Sequence, residues 1–304
     1  MVPAAGVVSG QDFPSKPVRI VTSLAGGGND FKARLIAQGI AEPLGQPVVV
    51  DSRPSNVTGE LTMKALPDGY TLLVEAGSLW FTSLLQKTPY DVLRDFAPVT
   101  TAIASPTILV VHPGLPVNSV KDLIALAKAK PGALNYGSAG HASTPHLATE
   151  LFKYLTGINV VHIPYKGAGP AVIDLVGGQI QMMIGTAPSV MPNIKGGKLR
   201  ALAVTSLQPS ALAPGLPTIA ASGLPGYEFV SINGVFGVAK TPDAIIKRLN
   251  QEIVRTLNQA DVKEKLLNAG TEVLTMSPEE FTAKLKSELA KWGKLIKDVG
   301  IKAD

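Results

Sequence analysis

The 304 residues carry 45% hydrophobic and 17% charged side chains, an ordinary globular balance in a chain longer than one core usually serves, so two domains are expected. The formal charge of +5 admits an anionic ligand, but the lysines between 283 and 297 recur at helical spacing, as on a solvated helix face, and nucleic acid is not expected as a partner. The absence of cysteine excludes thiol catalysis, disulfides and zinc–thiolate sites, and no apolar run approaches the ~18 residues of a membrane-spanning helix.

In chain order, residues 1–13 read as a disordered remnant. They lack a basic segment followed by an apolar one, so they are not a complete signal peptide, although VPAAGVVSGQD suits the remnant of one. VRIVTSL (18–24) is a buried strand, followed by a helix over 29–42 that Asn29 or Asp30 can cap. Strands follow at 47–53, 71–76 and 106–113. Residues 118–132 form a helix with Ser119 as N-cap, Asp122 three residues on, and Pro131-Gly132 as the stop. After NYGSAGHASTPHLATELF (135–152), a strand at 159–165, a helix at 169–178 and strands at 180–186, 199–205 and 233–240 complete the alternation. Helices at 242–258, 260–268 and 277–298 close the chain, the last opened by Ser277-Pro278-Glu279-Glu280.

This β–α alternation implies parallel sheets covered by helices. Proline- and glycine-rich segments at 112–118 and 207–232 mark boundaries. One lobe is expected over 14–110 plus 236–304 and the other over 111–235. In such an α/β, two-lobed arrangement the natural ligand site is a cleft between the lobes, at the carboxyl ends of the strands.

Two stretches resemble each other, VTSLAGGGNDFKARLIA (21–37) and NYGSAGHASTPHLATELF (135–152). Each runs from a strand through a loop of small residues into a helix. Such a loop offers bare backbone N–H groups, and the helix start adds the positive end of its dipole, so both stretches suit an anion. The dinucleotide pattern G-x-G-x-x-G fails in both, and neither ends in the Gly-Lys-Ser/Thr of a phosphate loop. Ser138, His141 and His146 lie near one another, but there is no G-x-S-x-G elbow and no adjacent carboxylate to orient a histidine. Four histidines without H-x-x-x-H or H-E-x-x-H spacing give no metal motif. Hydroxyls at Ser138, Ser143, Thr144 and Ser78 add donors, a set suited to holding a carboxylate and releasing it. The plain alternative is that both loops are ordinary βα turns.

Several segments in order make the pattern specific: FPSKPVRIVTSLAGGGND, LIAQGIAEPLGQPVVVDSRP, LPDGYTLL, TPYDVLRDFAPVT, LNYGSAGHASTPHLATELF, VVHIPYKGAGPAVIDLVGGQIQ, IKGGKLRALAVTS and GLPGYE. As a set, over residues 13–304, they closely resemble the substrate-binding proteins of tripartite tricarboxylate transporters, the Bug-type family. The resemblance implies a type II-like periplasmic-binding-protein fold. It also implies a monomer without cofactor or catalytic residues, located in the periplasm and passing a small organic acid to a permease of one large and one small membrane subunit. Carried over, it nominates Ser23, Gly26, Gly27 and Asp30 in the first loop. In the second it nominates Gly137, Ser138, Ala139, Gly140, Ser143, Thr144 and His146, with Ser78 and Tyr165 as flankers.

The chain departs from the family where MIGTAPS stands in place of a stretch like MFDNLPS, so that Gly185 and Thr186 replace Asp-Asn. Losing the aspartate removes a charge and volume. The expected ligand is therefore a dicarboxylate, with an aromatic one such as terephthalate preferred, rather than an amino acid. Trp80-Phe81 follows Ser78 closely enough to line the cleft, although ordinary core packing is the preferred role. Three alternatives share these residues: a binder of an aliphatic di- or tricarboxylate, a ligand-dependent input to a membrane sensor kinase and, more remotely, an α/β hydrolase using Ser138 and His146.

Overall fold

The computed structural model describes residues 13–141 and 143–301. The expected N-terminal remnant lies outside the described residues except for Phe13, which is buried with its ring 5.0 Å from Tyr70. In chain order the elements are β1 (Val18–Thr22), α1 (Gly28–Leu44), β2 (Val48–Ser52), α2 (Ser55–Met63), β3 (Thr71–Ala76), α3 (Ser78–Leu85), α4 (Val92–Asp95) and β4 (Phe96–Val111). They continue with α5 (Val120–Ala129), β5 (Asn135–Ser138), α6 (Thr144–Thr156), β6 (Val161–Pro164), α7 (Ala168–Val176), β7 (Met182–Thr186), α8 (Ala187–Lys195) and β8 (Arg200–Val204). The chain closes with β9 (Val230–Val238), α9 (Asp243–Leu257), α10 (Ala260–Asn268), β10 (Glu272–Val273) and α11 (Pro278–Val299).

Two compact units result. The first takes the described residues up to Ile103, Ile232–Glu264 and Val273–Ala290; the second takes Ala104–Ser231, Lys265–Glu272 and the described residues from Lys291 onward. The chain therefore passes from one unit to the other inside the long strand β4, earlier than the 110/111 boundary expected from composition. Two C-terminal pieces also join the second unit. Trp292 is buried edge-on against Phe229 at 5.4 Å, and Tyr154 hydrogen-bonds Asp298. Hydrophobic burial and long-range hydrogen bonds of this kind leave no punctuation in the sequence.

In the first unit β1 lies between β2 and β3, parallel to both, and β9 adds to β3 antiparallel. Ile20, Val21, Leu72 and Leu73 of the strands, on alternating faces of the sheet, and Ile36 and Ile40 of α1 are fully buried core residues. Gly39 lets α1 approach α9, since a Cβ there would stand 2.0 Å from Thr256 Cγ2. Trp80 belongs to this core, 2% exposed and tilted against Phe236, so its role is packing.

In the second unit the end of β4 is flanked by β7 and β8, both antiparallel to it. Parallel β5 links β7 to β6. The predicted Ser119 cap of α5 forms, and Asp122 reaches back to the residue before it. Ser119 Oγ accepts from the Asp122 N–H at 3.1 Å, and Asp122 accepts from the Asn118 N–H at 3.0 Å. Among the described residues no helix is long and apolar enough to cross a membrane.

Candidate functional site

The first loop leaves β1 at Thr22 and enters α1 at Gly28. The N-cap is Gly27, not Asn29 or Asp30, and no side chain caps the helix. Gly26 takes φ +79°, a conformation open to glycine at no steric cost, and exposes the turn. Asp30 reaches back under this turn. It accepts from the Gly26 N–H at 3.0 Å, from Ser52 Oγ at 2.6 Å and from both arms of Arg34 at 2.9 and 3.0 Å. Its carboxylate is thus fully engaged in shaping the loop, and the Arg34 fork, with Ser52 and Gly26, holds its pKa down at about 2.

A carboxylate with a lowered folded pKa stabilises the fold above its unfolded pKa, near 4, and that contribution is lost as pH falls through about 2. Asp30→Asn is therefore expected to cost about 2 kcal/mol at neutral pH, on the scale of charge-assisted hydrogen bonds. Urea unfolding should show the gap between variant and wild type narrowing below pH 4. A gap that persisted at pH 2 would refute the assignment.

Ser23 is half-buried beneath the same loop and Ser78 is exposed at the start of α3. They are linked through groups that no motif marked. Ser23 Oγ accepts from Asn29 Nδ2 at 2.9 Å, and the same amide donates to Glu75. Glu75 also accepts from the Ala76 N–H at 3.0 Å, Thr58 at 3.2 Å and Ser78 at 3.4 Å. Asn233 donates to Asn29 and accepts from Lys32 Nζ at 2.7 Å. Lys32, Glu75 and Asn233 are all buried. Desolvation lowers Lys32 to about 8, the Glu75 charge opposing the shift, and the same desolvation raises Glu75. A cavity of about 210 Å³ opens beside Glu75 and Ser78, lined also by Asn56, Thr82, Gln86 and Tyr90. The sequence held one signal of this network: Glu75 interrupts an otherwise apolar strand, and a buried charge needs partners.

The second loop leaves β5 at Ser138 and enters α6 at Thr144. Ser138 is fully buried. Its Oγ accepts the Gly140 N–H at 3.2 Å, donates towards Gly140 O at 3.0 Å and contacts His162 Nε2 at 2.7 Å. Ser143 Oγ donates to Gly140 O at 2.7 Å. Two hydroxyls thus clasp Gly140, whose φ of +118° admits the turn. Ser143 occupies the N-cap position but makes no side-chain cap bond, so α6 opens with main-chain donors and a dipole that no side-chain cap compensates. Ala139, Gly140, Ser143 and Thr144 are half-buried around that helix start. Gly137 is buried where a Cβ would meet Ile180 at 2.4 Å. The Tyr165 ring lies alongside it, anchored by a 2.7 Å bond from its hydroxyl to Asp174.

Gly185 ends in packing, not in an opened pocket. A Cβ there would stand 2.5 Å from Val190 Cγ1, so the small residue is required by α8. Thr186 is the N-cap of α8 without a side-chain cap bond, its hydroxyl directed to Ser189 at 3.1 Å.

Histidines converge beside the second loop. His146 stacks on His162 at 4.2 Å, and His141 stands edge-on to both at 5.5 and 5.1 Å. Tyr136 covers the other face of His162 at 4.8 Å. Desolvation, then the neighbouring His146 and His141, hold His162 down to about 4, so it is neutral at pH 7. The Ser138–His162 contact has the length of a nucleophile–base pair, but its histidine is not the His146 of the hydrolase reading. The serine is sealed from solvent, and among the described residues no carboxylate bonds His162 to orient it. The arrangement does not activate a nucleophile.

Known proteins resemble this chain in sequence and fold. Residues 32–301 match the family model described as the tripartite tricarboxylate transporter family receptor. The chain is 35% identical to Protein BugT of Bordetella pertussis, over 98% of this chain and 94% of that protein. The solved structure of R. palustris Rpa4515 with adipate superposes with a TM-score of 0.73 at 36% identity, covering 96% of this chain and 99% of that one. MatC (Rpa3494) from Rhodopseudomonas palustris with bound malate gives 0.69 at 28% identity, covering 93% and 100%. These are binding proteins with the mixed α/β fold expected from the sequence, and the chain belongs to the tripartite tricarboxylate transporter receptor family.

Proposed function

We propose that the protein is a periplasmic solute-binding receptor that takes up a small dicarboxylate and delivers it to the permease subunits of a tripartite transporter. The observation that carries this reading is the set of helix starts left without a side-chain cap. The helices α1, α2, α3, α6, α7, α8 and α9, which follow β1, β2, β3, β5, β6, β7 and β9, all open this way, α2 and α9 with a proline at the N-cap. Helices α4 and α5, by contrast, carry Asp91 and Ser119 caps. An uncapped start leaves main-chain donors for water or an anion. Each unit holds one glycine-rich loop of this type, at the start of α1 in the first and of α6 in the second. Water bridging would let the cradles accept acids of differing length.

Adipate and malate, bound by the two relatives, are both aliphatic dicarboxylates. The aromatic preference depends on space freed at Gly185, which Val190 already fills, so an aliphatic dicarboxylate is the first candidate and terephthalate an arm of the test. A thermal-shift screen against mono-, di- and tricarboxylates, with amino acids as controls, is expected to single out a dicarboxylate. At 100 times its dissociation constant such a ligand adds about 2.7 kcal/mol of stability. No response to any acid, in protein stripped of co-purified ligand by unfolding and refolding, would overturn the proposal.

A further inference from the structure

We propose that His141, His146 and His162 form a binding site for a divalent first-row transition metal that prefers imidazole, with zinc as the test ion. The three residues come from three elements of the second unit: the loop after β5, the first turn of α6, and β6. One ligand atom from each lies within 4.8 Å of the others, and this is the one group of three metal-capable side chains found among the described residues. A tetrahedral ion with metal–nitrogen bonds of about 2.0–2.1 Å needs its ligating nitrogens about 3.4 Å apart. The gap is therefore on the order of an ångström, and rotation about the soft terminal torsions of the His141 and His146 imidazoles can close it around a fixed His162.

The surroundings suit such a site. The chain has no cysteine, so imidazole is its softest available donor apart from methionine. A ligating histidine ordinarily donates its other ring N–H to an oxygen. Ser138 Oγ stands 2.7 Å from His162 Nε2 in that position, leaving Nδ1 as the ligating atom in the tautomer protonated on Nε2. Tyr136 backs the His162 ring, and its own hydroxyl is tied to Glu150, which Lys153 also bonds at 2.6 Å. That layer fixes one ligand. His146 is buried on a helix, and His141 is exposed, giving the ion a route in. Three protein nitrogens leave the fourth position of a tetrahedral ion to water or to a carboxylate oxygen.

The inference rests on the histidine geometry alone and survives if the carboxylate reading fails. Tag-free full-length protein, stripped with a chelator, should be titrated with Zn²⁺ against a chromophoric competitor in a non-coordinating buffer. One equivalent is expected to bind, at least tenfold more weakly in His141→Ala and in His162→Gln. A thermal shift on adding Zn²⁺ should be present in wild type and absent from both variants. His141→Ala, measured in chelator with the acid from the screen, should keep its carboxylate affinity, which separates metal loss from damage to the loop. No binding in wild type, or binding equal in wild type and both variants, would overturn the proposal.

Discussion

Replacing Glu75 by alanine is expected to destabilise the protein by about 3–5 kcal/mol at pH 7, the cost of leaving a buried charge without its counter-charge. The carboxylate is 2% exposed, and Lys32 is 9% exposed. Their charges are relayed through two amides, Lys32 to Asn233 to Asn29 to Glu75, with no direct ion pair among the contacts described. Removing Glu75 also strips an acceptor from the Ala76 N–H and from Thr58 and Ser78. The double variant Lys32→Met/Glu75→Gln should recover most of the loss, because it removes both charges and keeps an acceptor for the amides.

The pH dependence gives a separate reading of the same pair. Lys32 sits near 8 in the fold against 10.5 as an ordinary lysine. Between those values the unfolded chain binds more protons than the folded one, so this group makes stability rise with pH there. Wild type minus Lys32→Met should show that rise in urea midpoints between pH 7.5 and 10. A Glu75→Ala loss under about 1 kcal/mol, or a flat difference with pH, would remove the charged network from the account.

Placing a carboxylate in the second cradle should make the protein reject its ligand without weakening the fold. Ser143→Asp puts an acceptor at the N-cap of α6, where it stabilises the helix by up to about 1 kcal/mol. A ligand carboxylate within about 4 Å of it would meet repulsion on the order of 4 kcal/mol at an effective dielectric of 20. After screening, affinity for the acid should fall at least about a hundredfold while the melting temperature holds or rises. Ser143→Asn, which caps without charge, should stay within a few-fold of wild type. Calorimetry with the acid found by the screen distinguishes these outcomes, and equal affinities for Asp and Asn variants would mean that no anion sits at this helix start.

Local chemistry is legible in the sequence. The Ser119 cap forms with its Asp122 partner, and Ser277 and Glu280 cap α11 reciprocally at 3.1 and 2.8 Å. The two glycine-rich loops are turns that open helices. What the sequence does not mark is the neighbours of the nominated residues. Ser138 and Ser143, nominated as ligand donors, bond Gly140, and Asp30 bonds Arg34, Ser52 and Gly26. Gly185 reads as a widened pocket in the sequence, but the Val190 side chain takes up that space.

By itself the sequence determined the α/β alternation, the two cradles and, through the order of its segments, the family. These depend on periodicity, capping and turn chemistry, all of which act over a few residues. Only the tertiary structure brought Lys32, Glu75 and Asn233 into one buried network, and His141, His146 and His162 into one cluster. No motif spacing encodes those meetings. They follow from strand register, which sets Tyr136 beside His162, and from the packing of α6, which brings His146 over the same ring.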